Sequence, residues 1–302
     1  MLIKYAIKEF LDDRSFKNLS FYTIKMYKQN LLQFELFCVS NLEIIDTEQI
    51  TARSIKLYLL SFKEKNRKVS TINNKIRSIK AFFNYLKDEE LIKSLPYDRL
   101  KQSKEITRIR VPTDEEVKKL VDYYVYKGYR NGDFLSSRNR LLILLVVGTG
   151  IRRRELVDIR WSDIDFQAKS IQIFGKKQQI ESVPIANKLE KELAEYRIFC
   201  DYKELKSEYL FSTLAGNKLS DEAISCLFKK LNKKMDFDYS LSCHKLRHFF
   251  CYKLIRSGMS TYSVQKLMRH TNIAMTERYG RMWGNDLVEE NEKHSPLNTI
   301  DI

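Results

Sequence analysis

Glycine and proline are scarce, nine and four among 302 residues. That excludes collagen-like, low-complexity and largely disordered chains. Cysteine is thin as well: Cys38, Cys200, Cys226, Cys243 and Cys251 are odd in number, scattered, and without a Cys-x-x-Cys pair. A disulfide scaffold and a zinc ribbon are thereby excluded, and the thiols read as reduced core residues of a cytoplasmic protein. No apolar run exceeds Leu141–Val147, too short to span a bilayer and better read as a buried core helix. The N-terminus lacks a signal-peptide pattern, and no Asp/Glu/His cluster has metal-ligand spacing. The expectation is therefore no membrane, no metal and no cofactor.

What the chain has in excess is positive charge. The net charge is +15 and the isoelectric point about 9.4. The stretches before and after Pro112 are both basic. Such a surface favours a polyanion, and the binding would weaken steeply with salt.

The length suits about two domains. Residues 1–100 read as wholly helical. The best-marked helix follows Ser70, its expected cap, with Ile72, Ile76, Ile79, Phe83 and Leu86 at spacings of three and four. Lys75, Arg77 and Lys80 are placed away from that stripe, with Lys63, Lys65, Arg67 and Lys68 upstream. This face is either solvated or a contact for phosphates, which positions a protein without reading sequence. Residues 101–112 lose the apolar period and read as a linker. Thr113 with Glu116 three residues on then marks a new helix start.

Residues 113–302 begin with helices over Asp114–Lys127 and Leu135–Val147, stopped at Gly148-Thr149-Gly150. Three consecutive arginines follow, Arg152 to Arg154. They point in different directions on a helix, so one at most shares a given site. Alternating residues between Trp161 and Pro184 predict a small antiparallel sheet turning at Gly175-Lys176-Lys177. Helices resume over Asn187–Cys200 and Ser220–Met235. The most informative stretch is Ser242 to Arg281. It holds three of the four histidines, His244, His248 and His270, with Arg247 on the same helix face as His244 and Tyr279 nine residues after His270.

These residues resemble the tyrosine recombinase (integrase) family, its short Xer-like members most closely. The family's first motif reads Thr149-Gly150-Ile151-Arg152, then Glu155-Leu156. Its glycine-lysine hairpin reads Gly175-Lys176-Lys177, ending in Val183-Pro184. Its His-x-x-Arg-His signature reads His244 to His248, and its leucine-x-glycine-histidine with a tyrosine nine residues on reads Leu267 to His270 and Tyr279. Each motif alone is weak; the set in the family's order is specific. Two departures stand out. Arg269 replaces the usual glycine, and residues 178–181 stand where a glycine- and arginine-bearing turn is usual.

The resemblance implies a mainly α fold with a small antiparallel β-sheet: a helical SAM-like core-binding domain and an α+β catalytic domain. It implies a site-specific recombinase that cuts and rejoins double-stranded DNA at a specific core site through a 3′-phosphotyrosyl bond. Tyr279 would be the nucleophile. Arg152, Arg247, His244 and His270 would hold the phosphate, and Lys176, with Lys177 the alternative, would protonate the leaving oxygen. Glu155 would orient a neighbouring histidine or arginine, and His248 would serve inside the fold. The implied assembly is a homotetramer or heterotetramer on synapsed DNA at the nucleoid, with a tail of about residues 285–302 docking between protomers. A type IB topoisomerase-like enzyme shares the chemistry, and an inactive DNA-binding relative would share the fold. Synapsis of two duplexes separates the first of these from a recombinase.

Overall fold

A computed structural model describes residues 1–97, 100–103, 110–174, 180–270, 273 and 276. The chain divides into two compact units, Met1–Arg108 and Ile109–Ile302.

The first unit is built from α1 (Ile3–Phe16), α2 (Phe21–Leu42), α3 (Ala52–Glu64) and α4 (Val69–Asp88). Ser20 caps α2, its hydroxyl accepting from the Thr23 amide, and Thr51 caps α3 in the same way. The amphipathic stripes meet in an aromatic core in which Phe10, Phe34, Tyr58, Phe82 and Phe83 pack edge to face. Two details differ from the sequence expectation. The N-cap of α4 is Lys68, without a side-chain bond, and Ser70 lies inside the helix. Lys75 turns inward and is only 6% exposed. Its ammonium donates to Asn30 Oδ1 at 2.7 Å and to Gln33 Oε1, with the Phe62 ring 5.2 Å away. Burial holds that ammonium below the usual lysine range. Lys75 follows Ile72 by three residues and precedes Ile79 by four. It therefore belongs to the apolar stripe, and two amide oxygens from α2 make its burial tolerable.

The second unit starts at α5 (Asp114–Lys127), where the expected capping box is present. Thr113 Oγ1 accepts from the Glu116 amide, and Glu116 Oε2 accepts from the Thr113 amide at 2.7 Å. The central helix α6 (Phe134–Thr149) is apolar nearly all round and packs against α5, α8 (Asn187–Tyr202) and α10 (Cys243–Arg256). Each of its fully buried leucines contributes about 1.5–3 kcal/mol. A short helix α7 (Arg153–Leu156) leads to a three-stranded antiparallel sheet in the order β1-β2-β3. Its strands are β1 (Ile164–Asp165), β2 (Ser170–Phe174) and β3 (Ile180–Pro184), with Ile171 opposite Val183 and Phe174 opposite Ile180. Then come α9 (Asp221–Met235), capped by Ser220, α10, capped by Ser242, and α11 (Thr261–Met268), capped by Ser260.

Four cysteines are buried as expected, but Cys226 is exposed on α9. Among the described residues, no helix is long and apolar enough to cross a membrane.

Candidate active site

The end of α6 explains the threonine and glycine that precede Arg152. Thr149 Oγ1 donates to the Leu145 carbonyl and accepts from the Ile151 amide, stopping the helix. Gly150 takes the left-handed conformation, φ 61°. A Cβ there would collide with the Phe250 ring and come within 3.1 Å of Met268 Sδ. Glycine thus lets α6, α10 and α11 converge, and the carbonyl of Gly150 is used directly. Arg247, 3% exposed, donates from Nη1 to the Gly150 carbonyl and from Nη2 to the Met268 carbonyl. Two helix ends therefore fix one guanidinium, whose charge cannot titrate away.

Arg152 is the residue just before α7. Its amide donates to Glu155 Oε2 at 2.9 Å, its Nη1 to Glu155 Oε1 at 2.8 Å, and its Nη2 to the Arg269 carbonyl. Glu155 is buried and shared: Arg269 Nη2 donates to its Oε2 at 2.7 Å. Arg153 points elsewhere, to Asp221 Oδ2 at 2.7 Å on α9. Arg154 is exposed. The three side chains differ in their partners, but Arg153 and Arg154 also line the cavity that Arg152 lines, so the expectation that one at most shares a site does not hold.

His270 follows α11 and is 9% exposed, with Nδ1 2.9 Å from Thr276 Oγ1. Burial first, and then the positive charges of Arg247 and Arg152, push its pKa down to about 4, so it is neutral at pH 7. His244 stands at the exposed rim. Crowding and the same two arginines hold it below the usual imidazole range. His248 packs edge to face on His244 with ring centres 4.2 Å apart, and burial holds it down to about 3. All three imidazoles are thus held below the ordinary histidine range, and the positive charge beside them is that of the arginines.

Arg152, Glu155, His244, Arg247 and His270 all line one cavity of 750 Å³. They come from α7, α10 and the ends of α6 and α11, spread over more than a hundred residues of chain. Lys176, Lys177 and Tyr279 lie outside the described residues. In the first unit, Arg77 is exposed as expected, and Lys80 is half-buried with its ammonium 5.2 Å from the Tyr97 ring centre. Lys75, enclosed as described, is removed from the set of surface cations.

Residues 110–283 match the phage integrase family, and residues 7–90 match its N-terminal SAM-like domain. The chain belongs to the phage integrase family of tyrosine recombinases. Relatives of this tyrosine recombinase include tyrosine recombinase XerC of Listeria innocua, 27% identical over 96% of this chain and 97% of that one. XerC of Bacillus pumilus is 27% identical over 93% of this chain and 92% of that one. Among solved structures, the Tn1549 transposon integrase in complex with transposon right end DNA shares the fold. It covers 98% of this chain and 100% of its own at 21% identity and TM-score 0.77. A lambda integrase tetramer bound to a Holliday junction covers 92% of this chain and 77% of its own at 16% identity and TM-score 0.75.

Two contacts bring in partners that the motifs do not specify. Thr276 partners His270, and Arg269 partners Glu155. The only signal for the second was the arginine at a position where glycine is usual. The structure gives the reason for glycine: Arg269 sits at φ 52°, ψ 48°, a left-handed conformation costing a residue with a Cβ about 1–2 kcal/mol.

Proposed function

We infer that the protein is a site-specific DNA recombinase, cleaving and rejoining strands through a 3′-phosphotyrosyl intermediate. The observation that carries this reading is the convergence of Arg152, Arg247, His244 and His270 on one cavity. Two guanidiniums in fixed orientation suit the two non-bridging oxygens of a phosphodiester. They are held by backbone carbonyls and a buried carboxylate, so little reorganisation is needed when charge develops in the transition state.

In the proposed step the Tyr279 oxygen attacks phosphorus in line. The bond from phosphorus to the tyrosine oxygen forms, and the bond to the 5′ oxygen breaks. The phenol loses a proton, and the leaving 5′ oxygen gains one from Lys176 or its neighbour Lys177. The phosphate stays a diester throughout. The reverse attack by a 5′ hydroxyl therefore rejoins DNA without ATP. Neutral His270 and His244 offer hydrogen bonds to the phosphate instead of further charge. Glu155 orients Arg152.

Double-stranded DNA with a specific core site is the proposed partner, and a homotetramer or heterotetramer on two synapsed sites the proposed assembly. The tail of about residues 285–302 is proposed to dock between protomers. A basic face with Arg77 at its centre is proposed to take phosphates in the first unit.

The test is incubation with a nicked suicide duplex and denaturing electrophoresis. Wild-type protein should give a covalent protein–DNA adduct. Tyr279→Phe should bind DNA equally well and give none, because only the nucleophilic oxygen is removed. An adduct that persists in Tyr279→Phe would sink the assignment and turn attention to Tyr262, Tyr252 or Tyr239.

A further inference from the structure

Arg269 is a charged residue on a left-handed backbone, and its side chain turns into the protein instead of out to water. The side chain is only 6% exposed. One donor is matched, from Nη2 to Glu155 Oε2. Among the described residues Nε and Nη1 are buried without an acceptor, and Nε lies 3.9 Å from Glu181 Oε2, too far for a hydrogen bond. Glu181 is on β3, the strand leading out of residues 175–179. A buried guanidinium with unmatched donors is a combination that folding alone disfavours.

Glu155 is the junction of the cluster. Its Oε1 accepts from Arg152 Nη1, and its Oε2 accepts from the Arg152 amide and from Arg269. The Arg269 carbonyl takes Arg152 Nη2. Arg269 therefore holds Arg152 twice, directly through its carbonyl and indirectly through the shared carboxylate. Charge follows the same geometry. Arg152 with Glu155 alone is a neutral pair; Arg269 adds a second cation that shares the Glu155 carboxylate, and Glu181, 3.9 Å from it, answers that added charge from β3.

We propose that Arg269 is a positioning residue for DNA cleavage. By sharing Glu155 it leaves the charge of Arg152 available to the scissile phosphate, and its unmatched donors take the Glu181 carboxylate when that side chain swings the short remaining distance. The strand that follows residues 175–179 is thereby tied to the arginine cluster. This proposal rests on the recombinase reading of the same cavity.

The experiment is single-turnover cleavage of a nicked suicide duplex at saturating protein, with DNA affinity measured separately. The variants are Arg269→Gly, Arg269→Met, Arg269→Lys and Glu181→Gln. Arg269→Gly suits the left-handed backbone, so it keeps the test open if Arg269→Met fails to fold. Arg269→Gly and Arg269→Met should cut the cleavage rate constant roughly tenfold to a hundredfold, the penalty of a misplaced reacting group, with Kd unchanged. Arg269→Lys should recover part of the rate by restoring charge. Glu181→Gln should slow the wild-type protein but add nothing in the Arg269→Met background. A folded Arg269→Gly cleaving at the wild-type rate, or a loss confined to Kd, would overturn the proposal. Additive effects of Glu181→Gln and Arg269→Met would overturn the tie to β3. Absence of an adduct with wild-type protein would instead overturn the recombinase reading.

Discussion

Lys75 in the first unit and Arg247 in the second are both nearly inaccessible cations, and they are held in different ways. The Lys75 ammonium has three protons, and two go to the side-chain oxygens of Asn30 and Gln33. Its neighbours are neutral acceptors and an aromatic ring, the surroundings of a charge placed for structure. Arg247 is anchored by the carbonyls of Gly150 and Met268, and it nevertheless lines the 750 Å³ cavity with Arg152 and two neutral histidines. Burial alone therefore does not mark a functional cation. What distinguishes the second is anchoring at helix ends beside an open volume, in company with other groups that can reach the same anion.

The sharpest way to break the comparison is to remove the cavity cations one at a time. Arg247→Ala and Arg152→Ala should each slow cleavage about a hundredfold to a thousandfold, as for loss of a donor to a developing oxyanion. Arg153→Ala should change cleavage little, because its side chain is committed to Asp221. Suicide-substrate kinetics on the three variants decide this. Equal losses for Arg152 and Arg153 would contradict the division of labour.

Lys75→Met should act on folding and not on DNA. Unpairing two amide oxygens should cost the first unit about 1–3 kcal/mol in urea unfolding. The salt dependence of DNA binding should stay unchanged, whereas Arg77→Ala should lower its slope by about one. A lower slope for Lys75→Met would mean that its ammonium reaches phosphate after all.

A smaller effect concerns pH. His270 is held down to about 4 and His248 to about 3, against an ordinary value of 6.5. Between these limits the unfolded chain binds protons that the folded chain refuses. Stability should thus be full above pH 6.5 and fall as pH drops through 6.5 towards 4. His270→Gln, which cannot take that proton, should show a shallower decline between pH 6 and 5, by up to about 1.4 kcal/mol per pH unit. Parallel profiles for the two proteins would contradict a neutral His270.

Much of this architecture is legible in the sequence because it is local. Although the expected Ser70 cap lies inside α4, whose N-cap is Lys68, the Thr113–Glu116 capping box and the small sheet depend on residues a few positions apart. So does the placement of His244 and Arg247 on one face of α10. What was illegible depends on distant partners. Lys75 is paired with amides 45 and 42 residues away, and reading its charge as exposed overrode a spacing that placed it on the buried stripe. Arg269 meets Glu155 across 114 residues. No local pattern signals that contact, only the presence of a bulky side chain at a backbone position suited to glycine. The meeting of the two arginines with His270 is likewise tertiary, and the family resemblance, not periodicity, anticipated it.

The central claim is that Arg247 and Arg152 neutralise the non-bridging oxygens of a phosphate being cut. It is tested most directly by taking the charge from the substrate instead of from the protein. A suicide duplex carrying a neutral methylphosphonate at the scissile position should be cleaved by wild-type protein. The deficit of Arg247→Ala or Arg152→Ala should shrink markedly on that substrate, since the charge each arginine answers is gone. If both variants remain as impaired on the methylphosphonate as on ordinary DNA, the arginines act through the fold and not on the phosphate, and the account is wrong.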